Sequence, residues 1–83
     1  MELRIKEIQQ KKGVTNVELS KLTGIGTQQI SYYHTGDRKP PLKTLEVIAN
    51  ALNVDPIELI ETGLDFAHFY DDKTGEWLGV RKK

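Results

Sequence analysis

The segment Thr15–Gly36, TNVELSKLTGIGTQQISYYHTG, constrains this chain more than any other. Thr15 is an N-cap residue, and Glu18 three positions later completes a capping box, so a helix starts there. Val17, Leu19 and Leu22 supply its apolar positions, with Leu19 and Leu22 on one face. Gly24 ends it, because glycine accepts the left-handed conformation of a helix C-cap. Ile25 fills the turn, and Gly26 and Thr27 are the candidate caps of a second helix that runs to Gly36. Two short helices joined by so few residues form a helix-turn-helix.

The second helix carries little charge. Ile30 is its aliphatic residue and Tyr33 follows at i+3, while Thr27, Gln28, Gln29, Ser31, Tyr32 and His34 are hydrogen-bonding groups. Glutamine can bond adenine bidentately in the major groove, and Ser and Thr can bond base edges. The N-terminal residues of a recognition helix are those that reach the bases. Thr27 and Gln28 lie there, with Ser31 and Tyr32 one turn further on. The same residues would also suit a polar surface helix that simply lacks charge.

At 83 residues the chain is long enough for one small domain with a modest core. It has no cysteine, which removes disulfide frameworks, thiolate zinc sites and cysteine nucleophiles. MELRIKEIQQKKG is too charged for a signal peptide, and no apolar run approaches membrane-spanning length. The expected setting is cytoplasmic, away from any membrane.

The net charge is zero, but the charges are segregated. Residues 1–43 carry eight basic side chains against four acidic ones, residues 44–72 carry seven acids and no Lys or Arg, and the tail is again basic. The basic part contains the helix-turn-helix, which suits a footprint on nucleic acid. Solvated surface charge is the plainer alternative.

Outside that segment, Leu3–Lys12 reads as a first helix, with Ile5 and Ile8 on its apolar side and Lys11 and Lys12 at the negative end of its dipole. Asp37-Arg38-Lys39-Pro40-Pro41 is a loop, since paired prolines break helices. It holds Arg38 and Lys39 just beyond the second helix of the pair. There, with Lys43 at the start of the next helix, they can meet phosphate. Leu42–Leu52 is strongly amphipathic through Leu42, Leu45, Ile48, Ala49 and Leu52. Asp55-Pro56-Ile57-Glu58 opens a fifth helix, with Leu59 and Ile60 on its apolar side and Gly63 at its end.

RIKEIQQKKGVTNVELSKLTGI, GTQQISYYHTGDRKPPLKTLEVIANALNV and DPIELI together resemble the Cro/repressor-type helix-turn-helix family, also called the xenobiotic-response-element (XRE) family. The resemblance spans about Leu3–Gly63. It implies an all-α five-helix bundle, lambda-repressor-like, that binds double-stranded DNA as a homodimer on a two-fold symmetric operator. It also implies that Thr27, Gln28 and Tyr32 read bases, that Asn16 meets the DNA backbone, and that Arg38 and Lys39 lie in a phosphate-contacting loop. Gly26 departs from the family's Ser/Thr cap, Tyr32 from a position often basic, His34 from one often acidic, and Pro41 from a capping serine. The expected base-reading set is therefore Thr27, Gln28, Ser31 and Tyr32, and the backbone set Asn16, Gln29, Arg38, Lys39 and Lys43.

The expected domain, residues 1–63, is followed by an aromatic extension, residues 64–83, with Phe66, Phe69, Tyr70 and Trp77. Asp71-Asp72-Lys73-Thr74-Gly75 has hairpin-turn chemistry between FAHFY and EWLGV. An isolated hairpin is marginal in water, so this one has to pack on something. Dimerisation is the preferred use. The alternatives are a cap on the helical core, or a helix through Phe66–Tyr70 with a frayed end.

His34 and His68 have no metal-ligand spacing, and no phosphate loop or nucleophile elbow is present, so neither an enzyme nor a cofactor is expected. The functional expectation is a transcriptional regulator, a repressor that blocks polymerase sterically. Two alternatives stand beside it. One is an antitoxin-like autoregulator whose tail binds a partner protein. The other is an interaction module that does not bind DNA.

Overall fold

The computed structural model describes residues 2–83; Met1, the first residue of the expected helical domain, lies outside them. Four helices come first: α1 (Ile5–Lys12), α2 (Asn16–Thr23), α3 (Thr27–Thr35) and α4 (Leu42–Leu52). A single 3-10 turn, Pro56–Leu59, follows, and the chain closes with β1 (Phe66–Tyr70) and β2 (Trp77–Lys82). The capping box forms as read: Thr15 Oγ1 accepts the Glu18 N–H at 3.1 Å, and the Glu18 carboxylate accepts the Thr15 N–H at 3.3 Å. Gly24 takes φ 78°, a left-handed value that costs glycine nothing and turns the chain sharply between α2 and α3.

The helices enclose one core of Ile5, Ile8, Leu19, Ile30, Tyr33, Leu45, Ile48, Ala49, Leu52 and Leu59. Three residues expected on apolar faces lie outside it. Leu22 is 63% exposed, Val17 56% and Leu42 69%. Helix α2 is only eight residues long and buries Leu19 alone, while Leu42 stands on the first turn of α4.

The fifth helix is not formed. Asp55 caps the segment, its carboxylate accepting the Ile57 N–H at 2.9 Å, but helical geometry stops after Leu59. Ile60 is extended and bridges antiparallel to Leu3. The Arg4 N–H reaches the Leu59 carbonyl at 2.7 Å and the Glu61 N–H the Glu2 carbonyl at 2.9 Å. These long-range backbone bonds supply partners that a helix would otherwise have provided, and they also delay the start of α1 to Ile5. The all-α five-helix expectation for the first part of the chain is thereby corrected to four helices and one 3-10 turn, and the hairpin expected after them is present.

The extension is an antiparallel hairpin, not a helix, with Phe66 opposite Lys82, His68 opposite Val80, Tyr70 opposite Trp77, and a bulge after Phe69. Asp71 Oδ1 accepts the N–H groups of Lys73 and Thr74, which holds the Asp71 carboxyl below its ordinary range, and Gly75 (φ 76°) completes the reversal. The hairpin docks on the helices through polar side chains. The Tyr70 hydroxyl donates to Glu58 Oε2 at 3.0 Å and accepts from Arg4 Nη2 at 3.0 Å, and Lys11 Nζ sits 3.1 Å from the centre of its ring. Burial pushes the Tyr70 phenol up, so it keeps the proton it donates. His68 Nε2 bonds the Ile60 carbonyl at 2.7 Å and its Nδ1 accepts from Trp77 Nε1 at 3.0 Å, which assigns the proton to Nε2. On the hairpin Phe66, Phe69, Leu78 and Val80 remain exposed.

A second polar hub ties α1 to the helix-turn-helix. Gln9, 4% exposed, donates from Nε2 to Asn16 Oδ1 at 3.0 Å and to the Val14 carbonyl at 3.3 Å. Its Oε1 lies 2.6 Å from His34 Nε2, which is therefore the donor. Burial first, and then the positive charge of Lys6, hold the His34 imidazole below its ordinary range.

Two outcomes are expected. Tyr70→Phe strips Glu58 and Arg4 of a shared partner, so urea unfolding should show a loss of about 1–3 kcal/mol. For His34 the folded pKa is depressed, so its contribution is intact above its ordinary value near 6.5 and declines as the pH falls through the folded value. The urea midpoint should fall between about pH 7.5 and about pH 5.5, and His34→Gln should remove that part of the pH dependence.

Candidate nucleic-acid interface

Helix α3 is held by its inner side and open on its outer side. Ile30 and Tyr33 are buried, whereas Thr27, Gln28 and Ser31 are exposed and Tyr32 is half-buried. The α2–α3 turn has a lock that the sequence reading missed. Thr23 Oγ1 donates to the Leu19 carbonyl at 2.8 Å and accepts the Ile25 N–H at 3.1 Å. Ile25, packed against the core, then fixes where α3 begins. Gly26 caps α3 through its extended backbone alone, with no side-chain hydrogen bond.

The four residues expected to read bases share one side of α3, and two of them are linked. Gln28 Nε2 donates to the Tyr32 hydroxyl at 2.9 Å. The Tyr32 ring lies 5.4 Å from the guanidinium carbon of Arg38, within cation–π range. The Tyr32 carbonyl accepts from the Gly36 N–H at 3.0 Å, from Thr35 Oγ1 at 3.2 Å and from the Arg38 N–H at 3.4 Å. The loop bearing Arg38 is thus folded onto the end of the helix.

The residues expected on the backbone are not all alike. Asn16 stands at the first position of α2, anchored by Gln9, and its Nδ2 lies 3.5 Å from Ser31 Oγ. It therefore bridges α1 and the open side of α3. Gln29 turns to the other flank, donating to the Tyr33 hydroxyl at 3.3 Å. Arg38 and Lys39 line a groove with Tyr33, His34 and Glu2, and both are exposed, as is Lys43 on the first turn of α4. The aromatic set of the tail divides: Tyr70 and Trp77 turn toward the helices and are half-buried, while Phe66 and Phe69 face solvent.

Gln9 and His34 were not legible as a pair. The one signal for Gln9 is its place on the apolar stripe of α1, four residues after Ile5 and one after Ile8, where an amide is unexpected. Among the described residues no group of three or more His, Cys, Asp or Glu side chains could hold a metal ion. No described helix is long and apolar enough to cross a membrane.

The comparisons with known proteins agree with this geometry. Residues 5–59 match the family described as Helix-turn-helix. No curated protein matches. Among solved structures, a candidate DNA-binding protein from Bacteroides fragilis is 35% identical and superposes with a TM-score of 0.69, over 72% of this chain and 97% of that one. That family match, over most of the chain and all four helices, shows that the chain belongs to the Cro/repressor-type (xenobiotic-response-element) helix-turn-helix DNA-binding family.

Proposed function

We propose that the chain is a sequence-specific, double-stranded-DNA-binding transcriptional regulator, a repressor that acts as a homodimer on a two-fold symmetric operator. The observation that carries this reading is the open side of α3. Thr27, Gln28, Ser31 and Tyr32 offer uncharged hydrogen-bonding groups there, and Arg38 is held against the end of the same helix. A helix of this width enters the major groove, where such groups can distinguish all four base pairs. Asn16 at the start of α2 and the exposed Arg38, Lys39 and Lys43 supply phosphate contacts that set the register, and Gln29 joins them at the flank.

Dimerisation through the hairpin is part of the proposal. Phe66, Phe69, Leu78 and Val80 are 37–47% exposed on a two-stranded element. Apolar surface of that kind is suited to a partner, and a second copy would provide the two-fold axis that a palindromic operator needs. A steric block of polymerase is then sufficient for repression, without an effector domain.

Selection from a random duplex library, followed by titration of the enriched site against salt, tests the reading. Enrichment of a two-fold symmetric site is expected. Gln28→Ala should lower affinity for that site by about 1–3 kcal/mol and relax one position in each half. Arg38→Ala should weaken every duplex alike and reduce the salt slope by about one. Failure to enrich any duplex, with no binding at low salt, would reject the proposal.

A further inference from the structure

Gln28 and Tyr32 lie one helical turn apart, and their hydrogen bond changes what Gln28 can offer a base. A glutamine amide has two N–H donors and one carbonyl oxygen. One N–H is given to the Tyr32 hydroxyl at 2.9 Å. What remains is a single N–H beside Oε1. That pair complements the major-groove edge of adenine, where N7 accepts and the N6 amino group donates. It does not complement guanine, whose N7 and O6 both accept and would call on two donors. We infer that Tyr32 is a positioning residue that acts through Gln28, so that the tethered amide selects adenine over guanine at one operator position. The inference rests on the DNA-binding reading above.

Tyr32 is well placed for this. Its carbonyl takes three donors from the turn that ends α3, and its ring is covered on one side by Arg38. The hydroxyl is therefore attached to a backbone and a ring that are both held. The i,i+4 spacing places it beside Gln28 without help from any other element. The same ring carries the cation expected to meet phosphate, so one side chain serves both the amide that reads and the guanidinium that anchors.

The test is a double-mutant cycle on the duplex enriched by the unsubstituted chain, and on the duplexes bearing each other base at the position that Gln28→Ala relaxes. Tyr32→Phe removes the hydroxyl and leaves the ring under Arg38. It should cut the adenine-over-guanine preference by about 3- to 10-fold, the range for one net hydrogen bond, and leave the salt slope unchanged. In the Gln28→Ala background the same substitution should change nothing further. Three results overturn the inference: a preference retained in Tyr32→Phe, an equal loss from Tyr32→Phe in both backgrounds, which makes Tyr32 a base contact itself, or a guanine preference at that position in the unsubstituted chain. If the unsubstituted chain enriches no duplex, the DNA-binding reading fails first and this one with it. Thermal melts of the variants confirm folding, and Tyr32→Leu, which removes ring and hydroxyl together, should lose the base preference and disturb the Arg38 anchor as well.

Discussion

The buried amide of Gln9 is the point on which the arrangement of the helix-turn-helix depends. Its three hydrogen-bonding groups reach three segments of the chain: the backbone carbonyl of Val14 in the α1–α2 joint, the side chain of Asn16 on the first turn of α2, and the imidazole of His34 near the end of α3. A buried amide left without partners costs more than a typical hydrogen bond returns, so the three elements are held where all three bonds can be made at once. Apolar packing of Ile8, Leu19 and Ile30 brings the helices together without specifying direction. The amide adds the direction. It orients Asn16, and Asn16 in turn lies beside Ser31 on the open side of α3.

At the opposite end of α1 the geometry is set by Arg4. Its guanidinium bonds the Glu7 carboxylate, the Glu58 carbonyl and the Tyr70 hydroxyl, which links the first helix, the 3-10 turn and the hairpin. Arg4 is only 7% exposed and Glu58 5%, whereas Tyr70 between them is half-buried and Glu7, the carboxylate paired with Arg4, is 59% exposed. The hairpin is thereby a fixed part of the helical body, while part of its apolar surface stays open. The hairpin packs on the helical body through Tyr70 and His68, while Phe66, Phe69, Leu78 and Val80 stay exposed.

Much of this could be read along the chain because it is local. Thr15 and Glu18 are three residues apart, a distance at which helical geometry brings the side chain of one to the backbone of the other. The turn at Asp71–Gly75 was legible for the same reason. The fifth helix failed because its signals, Asp55 and Pro56, describe how a helix starts and say nothing of what competes for its end. Leu22 and Leu42 have the right spacing for a core face, but α2 and α4 present those positions to solvent, and spacing cannot tell which part of an apolar stripe finds a neighbour.

The amino-acid sequence alone determined the number of helices through α4, the two caps of α2, the uncharged side of α3, the basic loop after it and the hairpin turn, since each follows from residues a few positions apart. Only the tertiary structure decided the bridge from Leu3 to Ile60, the Gln9–His34 bond across 25 positions and the Arg4–Tyr70 bond across 66. These join segments whose approach is set by the burial of a shared core. A polar side chain carries no mark, in sequence, of the distant partner that such burial will bring to it.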